Sequence, residues 1–313
     1  MKNIKINTFA VIDLGSNNCR LRIVELKKNN IRNICNFSDE IKLGENLSFS
    51  NEFTDKQIQK TLNTFEKISN KFKKYNVQQY RCIATHACRE AINSEVLISQ
   101  VFIKTGIKIE IITPEEEAKL CLLSCLTHKN LSLDYNIIFD IGAGSTEIIY
   151  TKSFKRTNDF VSLSVPLGVI NLDKKIDLFS ENKILESFKK KLYLFKYNNE
   201  INDDSIDMIG SCSTITTLCA IFQDLKYYQK KSVDEYIFNK LDFYEVMELV
   251  NNMNEQEKIN NPMIGPSRIK LLENGIKILK LILNIFKVKS IFVSDRGIKE
   301  GMIWNKINEN NYL

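Results

Sequence analysis

A unit that occurs twice limits the fold of this chain more than any other feature. Thr8-Phe9-Ala10-Val11-Ile12 reads as a buried strand, and Cys19 to Glu25 as the next one. Between them lies the tight polar turn Asp13-Leu14-Gly15-Ser16-Asn17-Asn18. In the second half, Asn136-Ile137-Ile138-Phe139-Asp140 is again a strand ending in aspartate. Ile141-Gly142-Ala143-Gly144-Ser145 is its turn, and Thr146 to Tyr150 the return strand. A strand–Asp-x-Gly–turn–strand repeated at this scale predicts two similar domains with a ligand held in the cleft between them. A length of 313 residues is enough for two compact cores, divided at 1–128 and 129–313 with a hinge near His128 to Leu133.

The rest of the chain alternates helix and strand. A helix over about 55–73 carries Ile58, Leu62, Phe65 and Ile68 on one face. A short strand at 81–84 precedes a polar turn and a helix from about Ala87, and 107–112 is another strand. Thr113-Pro114-Glu115-Glu116 has the makings of a helix start, with Thr113 as N-cap and Glu116 completing a capping box. A strand at 206–209 runs into Gly210-Ser211-Cys212-Ser213-Thr214 and a helix. Ser267 is expected to cap a long helix ending near Phe286, before a late strand at 291–293. The fold class is therefore α/β.

Composition excludes several classes. Hydrophobic residues at 43% and charged residues at 26% are those of an ordinary globular protein. No segment approaches the roughly 20 apolar residues of a membrane helix, and no signal peptide is visible after Met1, so the cytoplasm is the expected location. The eight cysteines stand singly, without Cys-x-x-Cys, and only two histidines are present, so buried reduced thiols are expected and a zinc finger is not. The net charge of +6 tolerates a polyanion without requiring one. Lysine clusters such as those at 71–74 and 189–191 read as solvated helix faces.

The two turns carry the chemistry. Glycine and small polar residues after a strand leave backbone N–H groups free to cradle phosphate oxygens. A carboxylate at the strand end can hold Mg²⁺ or orient a water. One such turn is more often a plain hairpin; two in matching places argue for a ligand. Each is followed by a strand, so neither is a Walker loop or a dinucleotide fingerprint. Glu115-Glu116-Glu117 reads either as helix-dipole capping or as crowded carboxylates, one of which keeps its proton and serves as a base. Arg89 is either a phosphate clamp or half of a surface salt bridge. His86 and His128 are expected to be structural.

Taken in order, these segments resemble the Ppx/GppA (exopolyphosphatase/guanosine pentaphosphate phosphatase) family of the actin-like superfamily. Asp13-Leu14-Gly15-Ser16-Asn17 with Arg20 is similar to its first phosphate loop, and Ala84-Thr85-x-Ala87-x-Arg89-x-Ala91 to its second block. Ile109 to Leu120 is similar to the block with the catalytic glutamate, which falls on Glu117. Asp140 to Glu147 resembles the second phosphate loop, and 164–169 and 293–301 resemble later blocks. The resemblance implies duplicated actin-like (ribonuclease H-like) domains and Mg²⁺-dependent attack of water on a terminal phosphoryl group. It implies Glu117, Asp140 and Glu147 as catalytic residues, with Asp13, Asp140 and Glu147 around the metal. Gly15, Ser16, Asn17, Arg20, Arg89, Gly142, Gly144, Ser145 and Thr146 would bind phosphate. The implied partner is inorganic polyphosphate or guanosine pentaphosphate; a homodimer is admitted, and neither specific nucleic-acid binding nor a membrane is expected.

Departures from the family pattern are Ala143 in place of a third glycine, Asn18 in place of a common serine, and Ser213 in a turn that usually carries glycine. A histidine-dependent C-terminal module is not expected, so the chain reads as the short, two-domain form. Two other classes share paired phosphate loops: an actin-like kinase or ATPase, and a non-catalytic sensor of guanosine tetra- or pentaphosphate.

Overall fold

The computed structural model describes residues 7–27, 30–45, 47–128, 131, 137–152, 159–172, 178–201 and 206–309. The chain divides into two compact units, 1–124 with 298–313, and 125–297. The expected boundary at 128 thus lies close to the crossing, but the last segment does not stay with the second half. Most of the hinge segment expected at 128–133, and Asn136, lie outside the described residues.

The first unit runs β1 (Asn7–Leu14), β2 (Asn18–Lys27), β3 (Asn30–Glu40), α1 (Leu47–Ser50) and α2 (Asp55–Lys74). It continues with β4 (Gln79–Ala84), α3 (His86–Glu90), α4 (Ser94–Thr105), β5 (Glu110–Ile111) and α5 (Pro114–Cys125). Its sheet has the order β3-β2-β1-β4-β5, antiparallel from β3 to β1 and parallel from β1 to β5. Central β1 is buried on both faces, which is why it reads as an unbroken apolar run rather than an alternation. Thr54 and Gln57 form the capping box that starts α2, and Ile58, Leu62, Phe65 and Ile68 are its buried face.

The second unit runs β6 (Ile137–Ile141), β7 (Thr146–Thr151), β8 (Phe160–Val165), α6 (Leu178–Asn198), β9 (Ile206–Gly210) and α7 (Ser213–Phe222). After these come α8 (Lys230–Val233), β10 (Ile237–Asn239), α9 (Lys240–Asn252), α10 (Glu255–Asn260), α11 (Ile269–Phe286) and β11 (Val288–Val293). Its sheet has the order β10-β11-β9-β6-β7-β8. Read from β8, the order β8-β7-β6-β9-β11 repeats that of the first unit, with the same antiparallel and parallel senses. The duplication expected from two turns therefore extends to whole sheets. β10 is the addition.

The closing helix α12 (Ile298–Glu309) packs in the first unit. Glu300 pairs with Arg22 of β2 at 2.5 Å, and Met302, Ile303 and Ile307 are buried. Gly301 lies so close to α5 that a Cβ there would fall on the Leu120 carbonyl. Two local expectations also change. Ala91 is extended, so the helix expected from Ala87 is two helices, α3 and α4. Ser267 does not cap α11, which starts after Arg268; the Arg268 side chain turns back to the Met263 carbonyl and Thr217. Among the described residues no disulfide joins the cysteines, and seven of the eight are buried. No described helix is long and apolar enough to cross a membrane.

Candidate functional site

The turn between β1 and β2 is closed by the Gly15 N–H, which donates to the Asn18 carbonyl at 3.0 Å. The carbonyl of Asn17 accepts from the N–H groups of Ile41 (2.8 Å) and Lys42 (2.9 Å), and that of Ser16 from Gly44 (2.7 Å). Two carbonyls that would repel an anion are thus engaged by the 41–44 segment, and the turn offers donors instead. Gly44 permits this approach: a Cβ there would lie 2.9 Å from the Ser16 Cβ. Asp13 stands opposite Arg20 in the β1–β2 register, 3.9 Å from its guanidinium. Burial raises the Asp13 carboxyl above the usual carboxylate range, against the opposing pull of Arg20 and Lys299. Burial in turn lowers the Lys299 ammonium.

The turn between β6 and β7 repeats the pattern. The Gly142 N–H donates to the Ser145 carbonyl at 2.9 Å. The Gly142 carbonyl accepts from Val169 N–H and that of Ala143 from Ile170 N–H, both at 3.0 Å; Asn171 Nδ2 donates to the Gly144 carbonyl at 2.8 Å. Every carbonyl from Gly142 to Ser145 is therefore engaged within the unit. Thr146 is buried and donates through Oγ1 to the Leu167 carbonyl at 2.6 Å, so it braces the turn from behind. Gly168 is required in this brace, because a Cβ there would fall on the Ala143 carbonyl. Ala143 and Ser213 are both absent from the described residues with positive φ. Their departures from glycine therefore bring no backbone strain.

The register also separates the two copies. Asp140 faces Glu147 across β6 and β7 where Asp13 faces Arg20 across β1 and β2. One turn thus carries two carboxylates on one sheet face, the other a carboxylate and a guanidinium. Buried Glu147 accepts from Ser164 Oγ at 2.9 Å, its neighbour on β8. The nearby Cys212 thiol is pushed up to about 12, chiefly by burial and then by the Asp140 charge.

Arg89 and Glu117 meet in the first unit. Arg89 Nη1 donates to Glu117 Oε2 at 2.8 Å and to the Ile112 carbonyl at 3.0 Å, and the side chains are only 15% and 10% exposed. The salt-bridge alternative for Arg89 is realised, but buried rather than on the surface. The crowded triplet is not realised. Helical rotation fans the three residues apart, leaving Glu115 exposed, Glu116 on Arg81 and Glu117 inside. The Glu116 N–H donates to Thr113 Oγ1 at 3.2 Å, the expected cap. Burial, and then the Arg89 charge, lower the His86 pKa to about 4.

His128 is held at both ring nitrogens. Its Nε2 lies 2.8 Å from Ser294 Oγ, and its Nδ1 3.2 Å from Glu235 Oε1. His128, Asp234 and Glu235 form the one three-ligand cluster among the described residues. Arg296, however, donates to both carboxylates at 3.1 Å and to Thr127, which supplies the countercharge a metal would otherwise bring. Sequence reasoning gave no site role to the 41–44 segment, Asn171, Ser164 or Lys299, although the last two lie in the 164–169 and 293–301 blocks that resemble the family.

Paired turns on repeated five-strand sheets define the duplicated actin-like α/β class. The chain belongs to the Ppx/GppA phosphatase family, whose model matches residues 22–310. It is 28% identical, over 94% of its length, to the bifunctional 3-dehydroquinate synthase/phosphatase of Fusobacterium nucleatum. It is 21% identical, over 96% of its length, to the guanosine-5'-triphosphate,3'-diphosphate pyrophosphatase of Photobacterium profundum. The chain spans about half the length of these relatives, 46% and 59%. A crystal structure of an exopolyphosphatase from Cytophaga hutchinsonii shares the fold, with a TM-score of 0.86 over 97% of this chain and 98% of that one at 19% identity.

Proposed function

We propose that the chain hydrolyses terminal phosphoanhydride bonds, releasing inorganic phosphate from inorganic polyphosphate, guanosine pentaphosphate or both. The observation that carries this reading is the matched pair of turns whose carbonyls are drawn back onto their own bracing segments. Backbone donors fixed in that way suit a chain of phosphates, and they need no reorganisation as charge builds on the reacting oxygens. Glu117 takes a proton from the attacking water, whose oxygen bonds to the terminal phosphorus as the anhydride P–O bond breaks. Arg89 holds that carboxylate in place, and Arg20 adds positive charge beside the first turn.

Two hard carboxylate oxygens facing one another across β6 and β7 fit a small divalent cation. Asp140 and Glu147 would hold Mg²⁺, which neutralises phosphate charge when bound. Asp13, implied with them by the resemblance, belongs to the other unit and has Arg20 for a cross-strand partner.

The sensor alternative draws on the departures at Ala143 and Ser213; neither residue has a positive φ, so backbone strain lends it no support. The deciding experiment is phosphate release from long-chain polyphosphate and from guanosine pentaphosphate, with Mg²⁺ and with a chelator. Mg²⁺-dependent release from either substrate is expected. Tight binding of both with no release would make the chain a sensor.

A further inference from the structure

The segments that brace the two turns are themselves held by buried carboxamides. Asn274 lies on α11, fully shielded from solvent, on a stretch that also buries Leu272, Ile276 and Ile278. Its Nδ2 donates to the Val169 carbonyl at 2.9 Å, and the Val169 N–H donates to the Gly142 carbonyl of the turn. Asn274 Oδ1 has no hydrogen-bond partner among the described residues. The opposite amide orientation would set Oδ1 against the Val169 carbonyl, so this bond fixes which way the group points. A half-satisfied amide in an apolar setting lowers stability, so packing alone does not account for it.

The first unit meets the same need from another helix. Gln57, buried on α2, donates through Nε2 to the carbonyls of Lys42 (2.8 Å), Leu43 (3.3 Å) and Glu45 (3.0 Å). The N–H groups of Ile41, Lys42 and Gly44 in that segment engage the Asn17 and Ser16 carbonyls. In chain order α2 sits between β3 and β4, and its counterpart in the second unit is α6, not α11. The two carboxamides therefore come from non-equivalent helices, and neither is a leftover of the duplication.

We propose that Asn274 and Gln57 are positioning residues: each fixes a bracing segment whose N–H groups turn the carbonyls of one phosphate turn away from the anion. The phosphate part rests on the function proposed above; the positioning part does not.

Asn274→Leu is the clean test, because it keeps the approximate volume and removes the donor and the orphan acceptor together. Thermal unfolding should stay near the wild-type temperature, because loss of the orphan acceptor offsets the Val169 carbonyl left without its donor. Hydrogen exchange of the Val169 and Ile170 amides should speed up roughly tenfold, and kcat/KM for polyphosphate should fall by about as much. Gln57→Glu keeps the oxygen that caps α2 and loses the Nε2 donors, so it asks the same question of the Ile41, Lys42 and Gly44 amides. Unchanged exchange at these amides in both variants would overturn the proposal. So would faster exchange spread evenly over the unit with a lowered unfolding temperature, which is the pattern of a merely structural role. If the wild type hydrolyses neither substrate, the functional reading fails, and the exchange data still decide the positioning role.

Discussion

Replacing Gly168 by alanine tests how closely the second turn depends on its brace. An ideal Cβ at residue 168 lies 2.6 Å from the Gly144 nitrogen and closer still to the Ala143 carbonyl. Ordinary contact for such a carbon begins at 3.4 Å, so the turn and residue 168 must separate by about 1 Å. Both sides are backbone, and no side-chain rotation relieves the clash. Overpacking of this kind costs about 1–3 kcal/mol, which a domain of ordinary stability, roughly 5–15 kcal/mol, survives. The functional loss should be larger, because a 1 Å misplacement of groups that position a substrate costs on the order of a hundredfold in rate. The assay is steady-state phosphate release with Mg²⁺, paired with urea unfolding to establish that the variant is folded. A folded Gly168→Ala variant with unchanged kcat/KM would refute the claim that the brace sets the turn's geometry.

Further outcomes follow from the same geometry. Arg89→Ala leaves Glu117 buried without its guanidinium partner, and stability by chemical denaturation should fall by about 3 kcal/mol, much of it regained in the Arg89→Ala, Glu117→Gln double variant. Ala143→Gly should change kcat/KM by no more than a few-fold and lower stability by about 0.5–1 kcal/mol, since residue 143 needs no positive φ; a large gain in activity would show that the methyl obstructs the turn. Folded His86 titrates at about 4 against 6.5 for the ordinary group. As pH falls from 6.5 towards 4 the unfolded chain therefore binds the proton first, and stability falls across that window before levelling off. The loss is at most about 3 kcal/mol, and His86→Gln should remove it when unfolding is compared at pH 6.5 and pH 4.5.

The duplication was legible because its signal is local. A short apolar strand, an aspartate and a glycine turn lie within a dozen residues at both 8–18 and 137–145, and the sheets they open have the same strand order. Glu117 and Arg89 were legible as residues of interest, but not as a pair. Helical rotation separates Glu116 from Glu117, yet local sequence does not say that Arg81 awaits one and Arg89 the other. Partners distant in sequence were out of reach for the same reason. Glu300 meets Arg22 across most of the chain, which is why the last helix was expected in the wrong unit. Asn274 did carry a signal of a kind, as an amide on a buried stretch of helix beside Leu272 and Ile276. Its partner, the Val169 carbonyl, belongs to a brace that only the folded unit reveals.

The most direct test of the central claim is hydrolysis of polyphosphate in ¹⁸O-labelled water, with wild type and Glu117→Gln compared under single turnover. One labelled oxygen is expected in the first phosphate released and none in the shortened chain. The variant should bind substrate normally while its rate falls by at least about a hundredfold. Label in the shortened chain, or a wild-type rate for Glu117→Gln, would contradict the claim.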